Sequence, residues 1–226
     1  MKTGMLAVLM LLLTLLVAGC GGVKAPMGMD SAVQLRKAEK MTDTLVYVNP
    51  ARDSMKYTKF ILEPVSIYDK EDHDFGDIDQ ADRQMMADFI RDEFVRAFEG
   101  SNFPLVTTSA PDVLKVKFTL VGLTRSIPVA QGINYVMFPY GTGIQVVKGA
   151  LGKSGTFMGN AVVAVEFNDS VADDVVASLV TKLTANALNF KAAFNGQYGA
   201  AKSGITDFME TIRKRADEAH GVTAAR

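Results

Sequence analysis

The sequence contains few of the residue types that build metal sites, disulfides or nucleophilic centres. Its 226 residues include one cysteine, two histidines and no tryptophan. One cysteine cannot form an internal disulfide, and with two histidines it gives no cluster of the kind that binds zinc. The formal net charge of −1 provides no basic field for nucleic acid, so we expect no nucleic-acid partner.

One long apolar run is present, and it lies at the amino terminus. Lys2 precedes the apolar residues 5–17, and small residues then lead into Cys20. A positive start, a short apolar core and small residues before a cleavage point are typical of a secretory signal. The run is shorter than the roughly 20 residues that cross a bilayer comfortably. Residues 1–19 are therefore predicted to be a signal peptide.

The only cysteine ends a tetrapeptide, Val17-Ala18-Gly19-Cys20, that resembles a bacterial lipobox. The resemblance implies that Val17, Ala18 and Gly19 are read by a signal peptidase and that Cys20 carries a diacylglycerol. Two or more acyl chains hold a protein stably on a bilayer, so the membrane is a predicted partner. Gly21 stands where an aspartate would resemble an inner-membrane retention signal. The periplasmic side of the outer membrane is therefore the predicted location, with the inner membrane as the alternative.

The remainder of the chain divides into a tether and one domain. Residues 20–43 contain two early glycines and Pro26, which interrupt regular structure, so a lipidated amino terminus with a flexible tether is predicted there. Residues 44–221 carry the patterned segments and are predicted to form a single periplasmic domain.

Apolar periodicity predicts the elements of this domain. Residues 113–123 alternate between apolar and polar, which indicates a strand with one solvated face. Helical spacing is found over residues 78–98, where Asp77 is the predicted cap, and over 205–220. Strands at 44–48, 57–68, 103–107, 156–167 and 175–183 complete the pattern. Together they predict an α+β fold, with a mostly antiparallel sheet of about five or six strands and two main helices packed on one face.

A stretch within residues 54–68 reads Lys-Tyr-Thr-Lys-Phe-Ile-Leu-Glu-Pro-Val. With the lipobox, the Pro-Asp-Val-Leu-Lys-Val-Lys segment from Pro111 and the Phe-Asn-Asp-Ser segment from Phe167, it resembles a family of uncharacterised proteobacterial lipoproteins, catalogued as a domain of unknown function. The resemblance covers most of residues 44–220. It implies class and location, and it carries no catalytic residue.

Two segments approach nucleotide-binding or hydrolase motifs without completing them. Residues 149–154 end in Gly-Lys-Ser, but Val147 occupies the position of the first glycine of a phosphate-binding loop. Residues 152–156 miss a nucleophile elbow because Thr156 replaces its last glycine.

Two further features fall short of a catalytic or metal site. The acidic turn over residues 69–77 offers oxygen ligands for Ca²⁺, but Asp74 stands where an EF-hand loop needs glycine. His73 and His220 are the only histidines and hence the only candidate bases for a Ser-His-Asp triad. We expect no catalytic residue, no metal and no cofactor.

Residues 127–157 form a glycine-rich, apolar insert with few charges. Such a segment either packs on the open face of the sheet or contacts a partner or a lipid chain. The candidate contact residues are Tyr135, Val136, Met137, Phe138 and Tyr140.

These features predict a non-enzymatic, lipid-anchored envelope protein whose periplasmic domain binds or helps to assemble an envelope protein partner. The alternative is a lipid-handling or transporter-accessory lipoprotein that uses residues 127–157. An envelope hydrolase is a weaker alternative.

Overall fold

The computed structural model describes residues 23–39, 43–126, 158–186 and 195–221. Within these residues one mixed sheet is formed by β1 (Arg36–Lys37), β2 (Thr44–Val48), β3 (Lys59–Leu62), β4 (Ser66–Ile67), β5 (Val113–Thr124), β6 (Asn160–Asp169) and β7 (Val175–Leu183). The strand order is β1-β2-β7-β6-β5-β3, and β4 also pairs with β5. Helix α1 spans Gln80–Phe98 and helix α2 spans Gly199–Ala219.

The three long strands β5, β6 and β7 pair antiparallel and form the centre of the sheet. Apolar residues at alternate positions of β5, such as Val116 and Phe118, are buried on the side of the sheet that faces the helices. A register shift between Leu120 and Gly122 inserts one extra residue, so Leu123, and not Gly122, returns to the side that faces the helices. The fold is α+β, with a mostly antiparallel sheet and two helices on one face, and this confirms the predicted class.

Helix α1 begins two residues later than predicted, and its cap is Asp79 instead of Asp77. The Asp79 carboxylate accepts a hydrogen bond from the Asp82 N–H at 2.8 Å, whereas Asp77 lies in the preceding turn, 3.1 Å from an Arg125 nitrogen. Asp79 is therefore the residue that satisfies the free amides of the first turn. The helix buries one apolar side in the core, and Phe94 packs edge-on against Phe118 of β5.

Helix α2 begins earlier than the predicted residue 205. Ile205, Phe208 and Met209 are buried, as the periodicity predicts, but a further turn of small residues precedes them. At Gly204 a side chain would meet the Thr184 carbonyl oxygen at 2.7 Å, so this turn approaches the end of β7 closely. Small residues here extend the helix because they let its backbone approach the sheet.

The segment predicted as one strand over residues 57–68 is divided into β3 and β4, both parallel to β5. Pro64 lies in the gap between them, where its missing N–H removes no ladder hydrogen bond. The short strand predicted at 103–107 is reduced to a single bridge between Leu105 and Phe60.

Residues 23–37, which we term the strap, cross the outer face of the sheet, on the side opposite the helices, and end in the edge strand β1. Met29 and Leu35 are buried there in a cluster with apolar side chains of the sheet, which include Val121, Val162, Ala164 and Val180. This placement differs from the flexible tether predicted over residues 20–43. Its physical reason is that the central strands are apolar on both faces, and covering the second face removes that surface from water.

Candidate functional site

A row of four side chains crosses the outer face of the sheet beneath the strap. Cross-strand pairing places Tyr47 opposite Ser178, Ser178 opposite Glu166, and Glu166 opposite Lys117. Ser178 is 1% exposed and Glu166 is 6% exposed. A carboxyl group is therefore held in the interior, within a strand whose neighbouring positions are apolar.

Glu166 is held between charges of both signs. Burial raises the pKa of its carboxyl group, and the nearby charge of Asp30 raises it further. The Lys117 ammonium, 3.6 Å from Oε2, and a hydrogen bond donated by the Asp30 N–H act in the opposite direction. The net pKa lies above the usual range of a glutamate, because the cost of removing the carboxylate from water exceeds the stabilisation that Lys117 and the Asp30 N–H give it.

Several buried polar atoms at this place have no hydrogen-bond partner among the described residues. They are Ser31 Oγ, Glu166 Oε1, Asn168 Oδ1 and Ser178 Oγ. Leaving such an atom unpaired costs about 1–3 kcal/mol, so natural structures contain few of them. Three of these atoms lie on β6 and β7, and the fourth lies on the strap.

A cleft of about 310 Å³ opens between the strap and the ends of β2 and β7. Its polar lining includes Asp30, Ser31, Gln34, Tyr47, Asn49 and Arg52. Arg52 forms an ion pair with Asp174, and Asn49 donates a hydrogen bond to the Val175 carbonyl at 2.9 Å. We call this the strap cleft.

Each unpartnered atom is connected to the lining of the strap cleft. Ser31 belongs to the lining itself, and Ser178 pairs across the strands with Tyr47, another lining residue. Asn168 pairs across the strands with Val175, which lines the cleft. Glu166 accepts a hydrogen bond from the N–H of Asp30, which also lines it. A second groove of about 370 Å³ lies between α1 and the β3–β4 connection and lacks such links. The strap cleft is therefore the stronger candidate site within the described part of the chain.

The site residues predicted from the sequence fall outside the described residues. This applies to Val17, Ala18, Gly19 and Cys20 of the lipobox, and to the candidate contact residues Tyr135, Val136, Met137, Phe138 and Tyr140. In the ranges that are described, no helix has both the length and the apolar character needed to cross a membrane.

The two histidines lie in structural contacts. The His220 ring lies 3.0 Å from the Ala216 carbonyl and 3.1 Å from the Met55 carbonyl, and it packs edge-on against Phe103. His73 Nδ1 accepts from the Phe75 N–H at 3.4 Å. These contacts anchor the end of α2 and shape the acidic turn.

The acidic turn over residues 69–77 is likewise tied into the fold. Asp72 accepts from the Tyr68 hydroxyl at 2.6 Å, and the backbone of Asp74 forms a bridge with Gly122. Across the described ranges, His, Cys, Asp and Glu nowhere gather in a group of three that could hold a metal ion.

The most distinctive stretch of the sequence has a structural role. The Asp169 carboxylate accepts hydrogen bonds from the Lys56 ammonium and the Tyr57 hydroxyl, each at 2.9 Å, and from the N–H groups of Val171 and Ala172. The hydrogen bond from Lys56, followed by the turn N–H groups, holds the pKa of Asp169 well below its usual range. The Lys-Tyr pair thereby attaches the start of β3 to the β6–β7 turn.

Sequence reasoning missed Glu166, Ser178 and the strap residues Asp30 and Ser31. A signal exists for the first of these: Glu166 is the only charged residue in the apolar run over residues 161–167. Nothing in the sequence shows that residues 30–34 cover it, because that contact joins distant parts of the chain.

Solved structures that align with this chain do so at low sequence identity and low TM-score. The PelC dodecamer from Paraburkholderia phytofirmans aligns with a TM-score of 0.38 and 10% identity, over 74% of this chain and 96% of that one. A PDZ domain protein from Parabacteroides distasonis aligns with a TM-score of 0.35 and 8% identity, over 80% of this chain and 36% of that one. No curated protein matches the sequence. Residues 28–212 match the family described as protein of unknown function (DUF3313), and the chain belongs to that family.

Proposed function

We propose that the protein is a lipoprotein of the bacterial envelope, anchored through Cys20 in the periplasmic leaflet of the outer membrane. Its domain binds a protein partner and does not catalyse a reaction. The strap cleft is the observation that carries this proposal. It combines a concave surface with several polar side chains from the strap, β2 and the start of β7.

The chemistry of the cleft favours a partner group that donates hydrogen bonds. The lining offers acceptor atoms in the Gln34 amide oxygen and in the hydroxyls of Ser31 and Tyr47. Asp30 adds a negative charge at the lining. A lysine ammonium or a run of backbone N–H groups from an envelope protein supplies the donors that such a site lacks.

Site-specific photo-crosslinking in intact cells tests the binding role. A photoreactive amino acid replaces Ala51, which is exposed at the rim of the cleft. The matched control replaces Lys214 on α2, whose side chain is 73% exposed on the other face of the sheet. We expect a discrete adduct with an envelope protein from position 51 and none from position 214.

The same experiment can refute the proposal. Equal adduct patterns at positions 51 and 214 show that the cleft has no specific partner. A variant with Asn49→Ala, which removes a lining side chain, should weaken the adduct at position 51 if the partner enters the cleft.

A further inference from the structure

Docking of the strap leaves little chain between the proposed anchor and the folded domain. Val23 is the first described residue, and it follows Cys20 by three residues. Three peptide units separate two Cα atoms by at most about 11 Å. The headgroup layer of a bilayer is itself several ångströms thick. A lipid on Cys20 therefore holds the beginning of the strap at the level of the headgroups.

The strap has an apolar side that does not face the sheet. Met29 and Leu35 are buried against the sheet, but Met27 is 59% exposed and Val33 is 79% exposed. Large apolar side chains at such exposure lie in water unless another surface covers them. Their position seven and thirteen residues after the proposed anchor makes the bilayer the nearest candidate surface.

Basic side chains accompany these apolar residues. The Arg36 guanidinium donates to the carbonyl of Val33 at 2.9 Å and to that of Leu35 at 2.8 Å, which places a positive charge beside the exposed Val33. Lys24 and Lys37 are also exposed. Such a mixture of apolar and basic groups suits an anionic membrane surface.

The acidic residues of this segment limit the electrostatic contribution. Asp30 and Glu39 are both exposed, so the basic excess over residues 23–39 is small. Apolar insertion, more than charge, must then supply the contact. Charge contributes mainly through the cation that Arg36 holds next to Val33.

The outward side of the strap is held in place before any membrane contact. The Met27 N–H donates to the Tyr68 hydroxyl at 2.8 Å, and Arg36 and Lys37 pair with Val46 and Leu45 of β2. Because the backbone is already fixed to the sheet, little conformational entropy is lost when the exposed side chains meet lipid.

We infer that the outward side of the strap, formed by Met27 and Val33 with the Arg36 guanidinium and Lys24, is a membrane-contacting surface that lies on anionic phospholipid headgroups. The inference rests on the proposed lipid anchor and adds an orientation to it. The strap faces the bilayer, and α1 and α2, on the other side of the sheet, face away from it.

The test uses the full lipidated protein in vesicles of phosphatidylethanolamine and phosphatidylglycerol. Lipidation blocks the thiol of Cys20, the only cysteine of the chain, so a cysteine introduced elsewhere can be labelled alone. An environment-sensitive fluorophore is attached after Met27→Cys or Val33→Cys. The matched control is Val95→Cys on α1, where the native side chain is 42% exposed.

We expect the labels at positions 27 and 33 to shift to shorter emission wavelength on reconstitution and to be quenched by spin-labelled lipid. The label at position 95 should show neither effect. Arg36→Gln should reduce the shift at position 33 in these vesicles and leave it unchanged in purely zwitterionic ones.

Mass spectrometry of the amino-terminal peptide separates the two ways of failing. If Cys20 carries lipid and the labels at 27 and 33 stay as aqueous as the label at 95, the membrane-contacting surface is wrong and the anchor stands. If Cys20 carries no lipid, the anchor is wrong and the inferred orientation falls with it.

Discussion

Asp169 connects the approach to β3 with the β6–β7 turn through one carboxylate. It accepts from Lys56 and Tyr57 on the approach to β3 and from two N–H groups of its own turn, and its side chain is 5% exposed. Hydrogen bonds to an ionised group are stronger than those between neutral groups. At the scale of single residues, this is the polar interaction on which we expect stability to depend most.

Asp169→Asn should lower the free energy of unfolding by about 2 kcal/mol at neutral pH, because the charge-assisted bonds are lost. The native pKa of Asp169 is depressed, so its contribution is present above the ordinary aspartate pKa and is lost as the pH falls below about 4. Urea denaturation at several pH values should therefore show the variant and the native protein converging in acid. Asp174→Asn, at an exposed pair of the same turn, is the control and should change stability little.

Glu166→Gln should have the opposite effect and raise the free energy of unfolding at neutral pH. The pKa of Glu166 is raised by burial, so the protonated form stabilises the fold, and that stabilisation is lost as the pH rises above the ordinary glutamate range. A neutral amide of the same shape avoids this loss and can still accept from the Asp30 N–H. Thermal denaturation should show the variant to be the more stable protein at neutral pH, with the difference vanishing in acid.

Lys117→Met provides the contrast for Glu166. Removing the ammonium that faces the carboxylate leaves the burial cost without its compensation, so stability at neutral pH should fall. Stabilisation by Lys117→Met, or loss of stability in Glu166→Gln, would contradict this description of the buried carboxyl group.

At the scale of elements, the strap should open more easily than the sheet that it covers. Its cluster is small, and its own backbone bonds, such as those from Ala32 N–H and Gln34 N–H, close only short turns. Leu35→Ala removes one of its two buried anchors, a class of change that costs about 2–5 kcal/mol in a core. Hydrogen exchange should then show faster exchange over residues 29–37 and retained protection in β5 and β6.

Val33→Ala is the control for Leu35→Ala. The side chain of Val33 is 79% exposed, so its truncation should leave exchange over the strap unchanged. Global loss of protection in Leu35→Ala would instead show that the strap and the sheet unfold as one unit.

The sequence predicts those elements whose apolar pattern is contained in consecutive residues. The alternation of Leu114, Val116 and Phe118 predicts β5, and the helical spacing of Ile90 and Phe94 predicts α1. The partner strand of β3 is not predictable in this way, because parallel pairing with β5 joins segments that are distant in sequence.

The sequence does not predict the strap and its cleft, for a related reason. Residues 23–37 mix small, polar and apolar residues, and the apolar ones follow neither the helical nor the strand period, so the local pattern indicates a tether. Their place is determined by the second apolar face of β5, β6 and β7, and this face can be recognised only once the pairing of the strands is known. Glu166 stands out as a charged residue within an apolar strand, but this does not show which segment of the chain covers it.

At the scale of the whole molecule, the proposed attachment depends on one side chain. Cys20→Ser should block lipidation and processing, because the thiol is the acceptor of the diacylglycerol that the lipobox predicts. Fractionation of the envelope should then show loss of the processed form from the outer membrane. An unchanged membrane fraction that retains residues 1–19 would show that the apolar run itself is the anchor.

Gly21→Asp tests the location independently of attachment. The variant should keep its lipid and appear in the inner membrane, since the residue after the cysteine is the predicted sorting position. Separation of the two membranes by density, with Gly22→Asp as the neighbouring control, measures this outcome.

The order of synthesis gives the strap one further property. It is synthesised early, but its docking surface includes Val162, Ala164 and Val180, which follow much later in the chain. The strap therefore has nothing to dock on until β7 has emerged, and it cannot take its place before the central strands have paired. On the proposed function, this order leaves the segment after Cys20 open to lipid attachment while the chain is still incomplete.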